Sequence, residues 1–190
     1  MLSVLLALNG SMFVLEIASG WLAESMGLVA DGLDMGADAA VYLLALLAVG
    51  ASSHRKLSAA RFAGFVQLVL GSGAIVETGR RWILGSAPEP PVMVGISVVA
   101  LVVNVACLAL LRRHREGDVH LQAAWIFSAT DVQANLGVIG AGLLVAWLES
   151  PIPDLIIGAI VSALVLRGAF RIRNRVRLSE LAATGEERLG

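Results

Sequence analysis

The sequence predicts an all-α, polytopic membrane bundle of six transmembrane helices with both termini cytoplasmic. Three observations carry that expectation. Of the 190 residues, 57% are hydrophobic and only 15% charged, with a mean hydropathy of +0.81, which leaves too little polar surface to cover a water-soluble globule. Six apolar stretches, each long enough to cross a bilayer, are separated by short polar breaks. The lysines and arginines fall almost entirely on alternate breaks, as they do in cytoplasmic loops. Such a composition excludes a soluble enzyme, a disulfide scaffold, a disordered tail and a nucleic-acid binder. The single cysteine, Cys107, sits in an apolar run and says nothing about redox compartment.

The stretches run from Leu2 to Leu22, Gly27 to Gly50, Ala59 to Leu84, Val92 to Leu111, Leu121 to Leu148 and Ile152 to Phe170. The first has no basic start and carries Asn9 and Glu16 inside its apolar body, so it reads as retained structure and not as a signal peptide. All five prolines are expected in two breaks, Pro88, Pro90 and Pro91 in one and Pro151 and Pro153 in the other, where they punctuate loops. The break after the second stretch holds Arg55 and Lys56, with Arg61 just beyond; the break after the fourth holds Arg112, Arg113 and Arg115. The C-terminal end holds Arg167, Arg171, Arg173, Arg175, Arg177 and Arg188, leaving only Arg80 and Arg81 on the opposite side. Residues 1–177 are therefore expected to form the membrane domain and 178–190 a short cytoplasmic tail without a folded domain. The basic run from Arg167 to Arg177 anchors a helix end at the headgroups, with anionic lipid as a possible partner.

Acidic groups at bilayer depth cost several kcal/mol or neutralise themselves, so they mark function by default. Asp31, Asp34 and Asp38 lie three and four residues apart, which stacks them on one face of the second helix, and nothing basic on that helix compensates them. A shared cation is the economical explanation, with Asp34 and Asp38 directing oxygens at one ion. The fifth helix supplies a second polar face, with Asp131 and Asn135 one turn apart and Ser128 one turn back. For Ser128 and Asn135, ordinary interhelical hydrogen bonding is an equal alternative. Glu16, Asn9, Glu77 and Asn104 are expected to form packing bonds, line a water-filled path or relay protons. Asp154, after Pro153, reads as an N-terminal acid of the sixth helix. His54, His114 and His120 fall in or beside predicted cytoplasmic loops.

The ordered set of these residues resembles the cation diffusion facilitators, which export divalent metals such as zinc in exchange for protons. The resemblance begins with Leu8-Asn9, Glu16, Gly20 and Ser25 and continues through the segment Leu28 to Asp38. Glu77, the Pro88-Glu89-Pro90 loop, Asn104, the segment Asp131 to Ile139 and Pro153-Asp154 follow in order. It implies a six-helix transport domain, usually dimeric through its helices here, with a tetrahedral site of two residues on helix two and two on helix five. Carried over, Asp34, Asp38 and Asp131 are three of the ligands. Phe127 stands where the family often has a histidine, so Ser128, Asn135, water or a bidentate carboxylate must complete the site. An all-oxygen site discriminates less in favour of zinc. The resemblance also implies that the metal is substrate and protons the counter-ion, with Asp31, Glu16, Asn9, Glu77 and Asn104 in supporting or proton-relay roles.

The expected function is thus a divalent metal exporter of a prokaryotic inner membrane, zinc first, with cadmium, cobalt, manganese or iron as alternatives. It works by alternating access, and no organic cofactor, nucleic acid or enzymatic step enters. Asn9 precedes Asp34 by 25 residues and Asn104 precedes Asp131 by 27, a weak echo of an inverted repeat. Two rival readings are a transport-inactive metal-binding regulatory subunit and a metal-dependent intramembrane enzyme. Asp31-Gly32 is similar to the aspartate-rich helix of membrane phospholipid synthases, but no arginine stands near to hold a phosphate.

Overall fold

The computed structural model describes residues 1–47, 53–112 and 119–187, with side chains at all of these except 53–56, 59, 119–124, 126–127, 175 and 178–187. Six helices account for nearly all of it: α1 (Leu2–Leu22), α2 (Met26–Leu47), α3 (Ser53–Leu84), α4 (Pro90–Leu111), α5 (Val119–Leu148) and α6 (Ile152–Glu187). The chain is an all-α membrane bundle. Five helices are long and apolar enough to cross a bilayer by length and composition. The sixth, α2, falls short of that measure because Asp31, Asp34 and Asp38 crowd its apolar run.

Three boundaries differ from the sequence expectation, each for a backbone reason. Arg55 and Lys56 belong to the first turn of α3 and not to a loop, since Lys and Arg propagate a helix well even where hydropathy falls. Pro90 and Pro91 open α4 at its first positions, where a missing N–H has no intrahelical acceptor to lose; Pro153 likewise sits in the first turn of α6. The segment 178–187, expected as a tail, continues α6 through Glu187. His54, His114 and His120 fall outside the described side chains.

α2 lies at the centre of the bundle, in contact with all five other helices. Its entry into the bundle is fixed by the turn between α1 and α2. Glu24 takes a positive φ of 50° there, and its carboxylate accepts from the Ala87 amide at 3.0 Å. The Glu89 amide donates to Ala23 O at 3.0 Å, which ties the start of α4 to the same turn. Ser25 caps α2: its hydroxyl accepts from the Leu28 amide at 3.2 Å and donates to Asp154 Oδ1 at 2.7 Å. The Met26 and Gly27 amides donate to the same carboxylate at 2.7 and 2.9 Å. Asp154 is in the first turn of α6, as expected, yet its carboxylate serves the N-terminus of α2, where free N–H groups and the helix dipole favour an anion. Close approach makes this possible. A Cβ on Gly158 would lie 2.7–2.9 Å from Met26 Cβ, C and O, so no side chain fits between α6 and α2.

Apolar clusters fill the two ends of the group formed by α1, α2, α4 and α5. At one end Leu28, Met93, Val138, Ala141 and Val145 pack together; at the other, Leu5, Tyr42, Cys107 and Leu111 do so, with Trp125 against them. A separate cleft of about 540 Å³ between α1, α2, α3 and α6 is lined by apolar residues such as Phe13, Leu44, Phe62, Val66 and Val165, with none of the acids on its wall. The acids instead face the interior shared by α1, α2, α4 and α5.

Candidate metal site

The four helices α1, α2, α4 and α5 contain no lysine or arginine. Between the two apolar ends they nevertheless bury Glu16 on α1, Asp31 and Asp38 on α2 and Asp131 on α5, all less than a tenth exposed, with Asp34 partly exposed beside them. Each feels the charge of others in the group. Asp131 lies within electrostatic reach of Asp38, Asp34, Asp31 and Glu16, and Glu16 within reach of Asp31 and Asp34. The helical spacing that stacks Asp31, Asp34 and Asp38 on one side of α2 is what assembles the group. Like charges without a basic partner at this depth require protons or a cation.

α2 and α5 run antiparallel, and their polar residues meet in layers. In the first layer the Asn135 amide donates to Asp31 Oδ2, while Asn135 Oδ1 accepts from Asn104 Nδ2 of α4 at 3.0 Å. In the next, Asp38 and Asp131 lie within electrostatic reach of each other. In the third, Tyr42 meets Ser128. Asn9 stands aside from these layers. Its amide donates to Leu5 O at 2.9 Å and lies 4.0 Å from Cys107 Sγ.

Of the residues singled out in the sequence, Asp34, Asp38, Asp131 and Ser128 are thus brought to one region, with Asp31, Glu16, Asn104 and Asn135 adjoining it. Asn135 forms a bridge. Its oxygen, the atom that would ligate a metal, already holds the Asn104 amide. Glu77 is elsewhere. It accepts from Arg80 at 2.7 Å and Arg81 at 2.8 Å near the end of α3, where Arg81 also stacks 5.8 Å from the centre of the Trp21 ring. The side chain of Phe127 lies outside the described residues. Among the described residues, no three His, Cys, Asp or Glu side chains close around a single ion; the acids share a region without forming a finished coordination sphere.

Tyr42 is the residue the sequence reading missed. It is the only tyrosine of the chain, sits one turn beyond Asp38 on the same face and is 1% exposed. The signal was present in the i, i+4 spacing from Asp38, but a tyrosine on an apolar helix reads first as core.

A central helix of stacked carboxylates, buried in an apolar bundle beside a second acidic helix, defines the class: a polytopic membrane protein with an acidic interior. Residues 2–176 match the cation efflux transmembrane domain, and the chain belongs to that family. It is an integral, multi-pass membrane protein of a transporter family, not of an enzyme family. It is 31% identical over 172 residues to the zinc transporter ZitB of Escherichia coli strain K12, covering 84% of this chain and 55% of that protein. It is 25% identical over 172 residues to the metal cation efflux system protein CzcD of Cupriavidus metallidurans, covering 82% and 54%. A cadmium, cobalt and zinc/H(+)-K(+) antiporter of Bacillus velezensis is 24% identical over 173 residues, covering 84% and 55%. The chain spans about half the length of these relatives.

Proposed function

We propose that this protein exports divalent metal cations across a bacterial plasma membrane in exchange for protons. One observation carries the reading: acids from α1, α2 and α5 are buried in one region of four helices that contain no lysine or arginine. Asp34, Asp38 and Asp131 are the metal ligands, with Ser128 beside them. Asp31 and Glu16 carry protons or balance charge, and the Asn104–Asn135 bridge holds Asp31 in place. Zinc is the first candidate because relatives bear that name. An oxygen-rich donor set leaves manganese and iron as competitors.

The same carboxylate oxygens bind either protons or a divalent cation, so loading metal releases protons and protonation releases metal. Exchange needs two conformations, each opening the acidic layer to one side. The apolar clusters supply the two doors: Leu5, Tyr42, Cys107 and Leu111 at one end, and Leu28, Met93, Val138 and Val145 at the other. By the distribution of basic residues the first is the cytoplasmic door and both termini are cytoplasmic. Residues 1–177 form the transport domain, which pairs as a homodimer through its helices.

The test is transport in liposomes. Purified wild-type protein should accumulate Zn²⁺ when a proton gradient is imposed, and Asp38→Ala and Asp131→Ala should abolish accumulation while remaining monodisperse and helical. Normal accumulation by both variants refutes the site.

A further inference from the structure

Tyr42 places a polar atom where an apolar helix end has no use for one. Its ring packs among Leu5, Cys107 and Leu111, which phenylalanine would do equally well. Its hydroxyl is buried and has no hydrogen bond of good geometry among the described residues, although the Ser128 hydroxyl lies close by. A phenolic hydroxyl both donates and accepts, and buried ones nearly always find a partner. The Asp38 carboxylate, one turn back on the same helix, and the Asp131 carboxylate of α5 lie within electrostatic reach of it, with Ser128 alongside. The group thus comprises two acids from different helices and one hydroxyl from each of those helices, with no lysine or arginine on α1, α2, α4 or α5. An unsatisfied oxygen beside two carboxylates has a natural partner in a cation.

We propose that the Tyr42 hydroxyl oxygen is a donor to the transported divalent cation, joining the proposed carboxylate ligands in an all-oxygen set that position 127, a phenylalanine, cannot supplement with nitrogen. This rests on the reading of Asp38 and Asp131 as ligands. The neutral phenol keeps its proton and contributes a lone pair, so it adds coordination without adding charge to an already crowded layer. A hard oxygen in this place makes Tyr42 a specificity-determining residue: it narrows the advantage of zinc over harder ions such as manganese. Because the same ring belongs to the apolar cluster at that end of the bundle, the cation would sit directly against the proposed cytoplasmic door.

The experiment is a set of transport and spectroscopic measurements on the full chain in liposomes. Tyr42→Phe keeps the ring and removes one atom; its KM for Mn²⁺ should rise about tenfold, as loss of a metal-site group typically costs, with the turnover rate little changed. Tyr42→His puts nitrogen on the same turn and should raise the preference for Zn²⁺ over Mn²⁺ above that of wild type. Because Tyr42 is the single tyrosine, ultraviolet resonance Raman bands of tyrosine in the wild type report on it alone and should shift when Zn²⁺ is added. That reading needs no variant to fold. Unchanged KM in Tyr42→Phe together with unmoved tyrosine bands, in a protein that Asp38→Ala silences, overturns the role of Tyr42 and leaves the transport reading standing. Normal transport by Asp38→Ala overturns both.

Discussion

Asp154→Ala should cripple the bundle without touching an acid of the metal site. The Asp154 carboxylate is fully buried and accepts three hydrogen bonds, from the Ser25 hydroxyl and the Met26 and Gly27 amides, at 2.7, 2.7 and 2.9 Å. Its removal leaves two backbone N–H groups without an acceptor, in a place where the close packing around Gly27 and Gly158 leaves little room for a replacement. Hydrogen bonds to a charged acceptor contribute about 1.5–3 kcal/mol each, and buried donors left unpaired cost about 1–3 kcal/mol each, so the loss is roughly 3–6 kcal/mol. For a chain of this size each kcal/mol moves Tm by about 2–4 °C, so a fall of roughly 6–24 °C is expected. Asp154→Asn keeps one acceptor oxygen, sufficient for Ser25 and Gly27, and should lose less. The assay is thermal unfolding of purified protein in detergent, followed by loss of monodisperse material. If Asp154→Ala unfolds within about 2 °C of wild type, the carboxylate is not what holds α2 in place.

Other perturbations separate packing from chemistry. Gly158→Ala forces a Cβ against the Met26 backbone at 2.7–2.9 Å and should cost about 1–3 kcal/mol, read as a lower Tm with the metal selectivity of surviving protein unchanged. Asn135→Leu removes the donor to Asp31 and the acceptor of Asn104 together, and should slow proton-driven Zn²⁺ uptake several-fold while metal binding survives; total loss of binding would make Asn135 a ligand. Phe127→His should sharpen preference for zinc over manganese, and an unchanged metal profile would remove position 127 from the ligand shell. Apparent Zn²⁺ affinity should weaken steadily as pH falls, because protons occupy the same oxygens, and an affinity flat between pH 8 and pH 5 would contradict shared occupancy.

Much of this structure was legible because a bilayer enforces simple rules. Apolar runs of spanning length had to be helices, and the three aspartates of α2 had to share a face at their spacing. What composition could not place was backbone continuing past its hydrophobic part. α3 begins before Arg55 and α6 extends to Glu187 because helix propensity does not end where hydropathy does. Pro90 and Pro91 read as loop residues in the sequence, yet they open α4, because the first turn of a helix is where proline costs least. Within the site, spacing identified which residues share a face but not which of them pair across helices. Asn135 has the same spacing from Asp131 as a ligand would, yet it bridges Asp31 and Asn104. Glu77 is in a span by sequence and is held by Arg80 and Arg81 in the structure, an i, i+3 and i, i+4 pattern that could have been read in advance. The partnership of Asp154 with the start of α2, 127–129 residues away in the chain, had no local signal at all.

The most direct measurement is proton release on metal binding. Zn²⁺ is titrated into purified protein in weakly buffered detergent solution while bound metal and solution pH are followed together. Buried carboxylates on α2 and α5 acting as one site should release protons in step with metal bound, and Asp38→Ala and Asp131→Ala should each lose both the binding and the release. Tight binding with no protons released, or binding that survives both substitutions, would mean that these acids do not hold the metal.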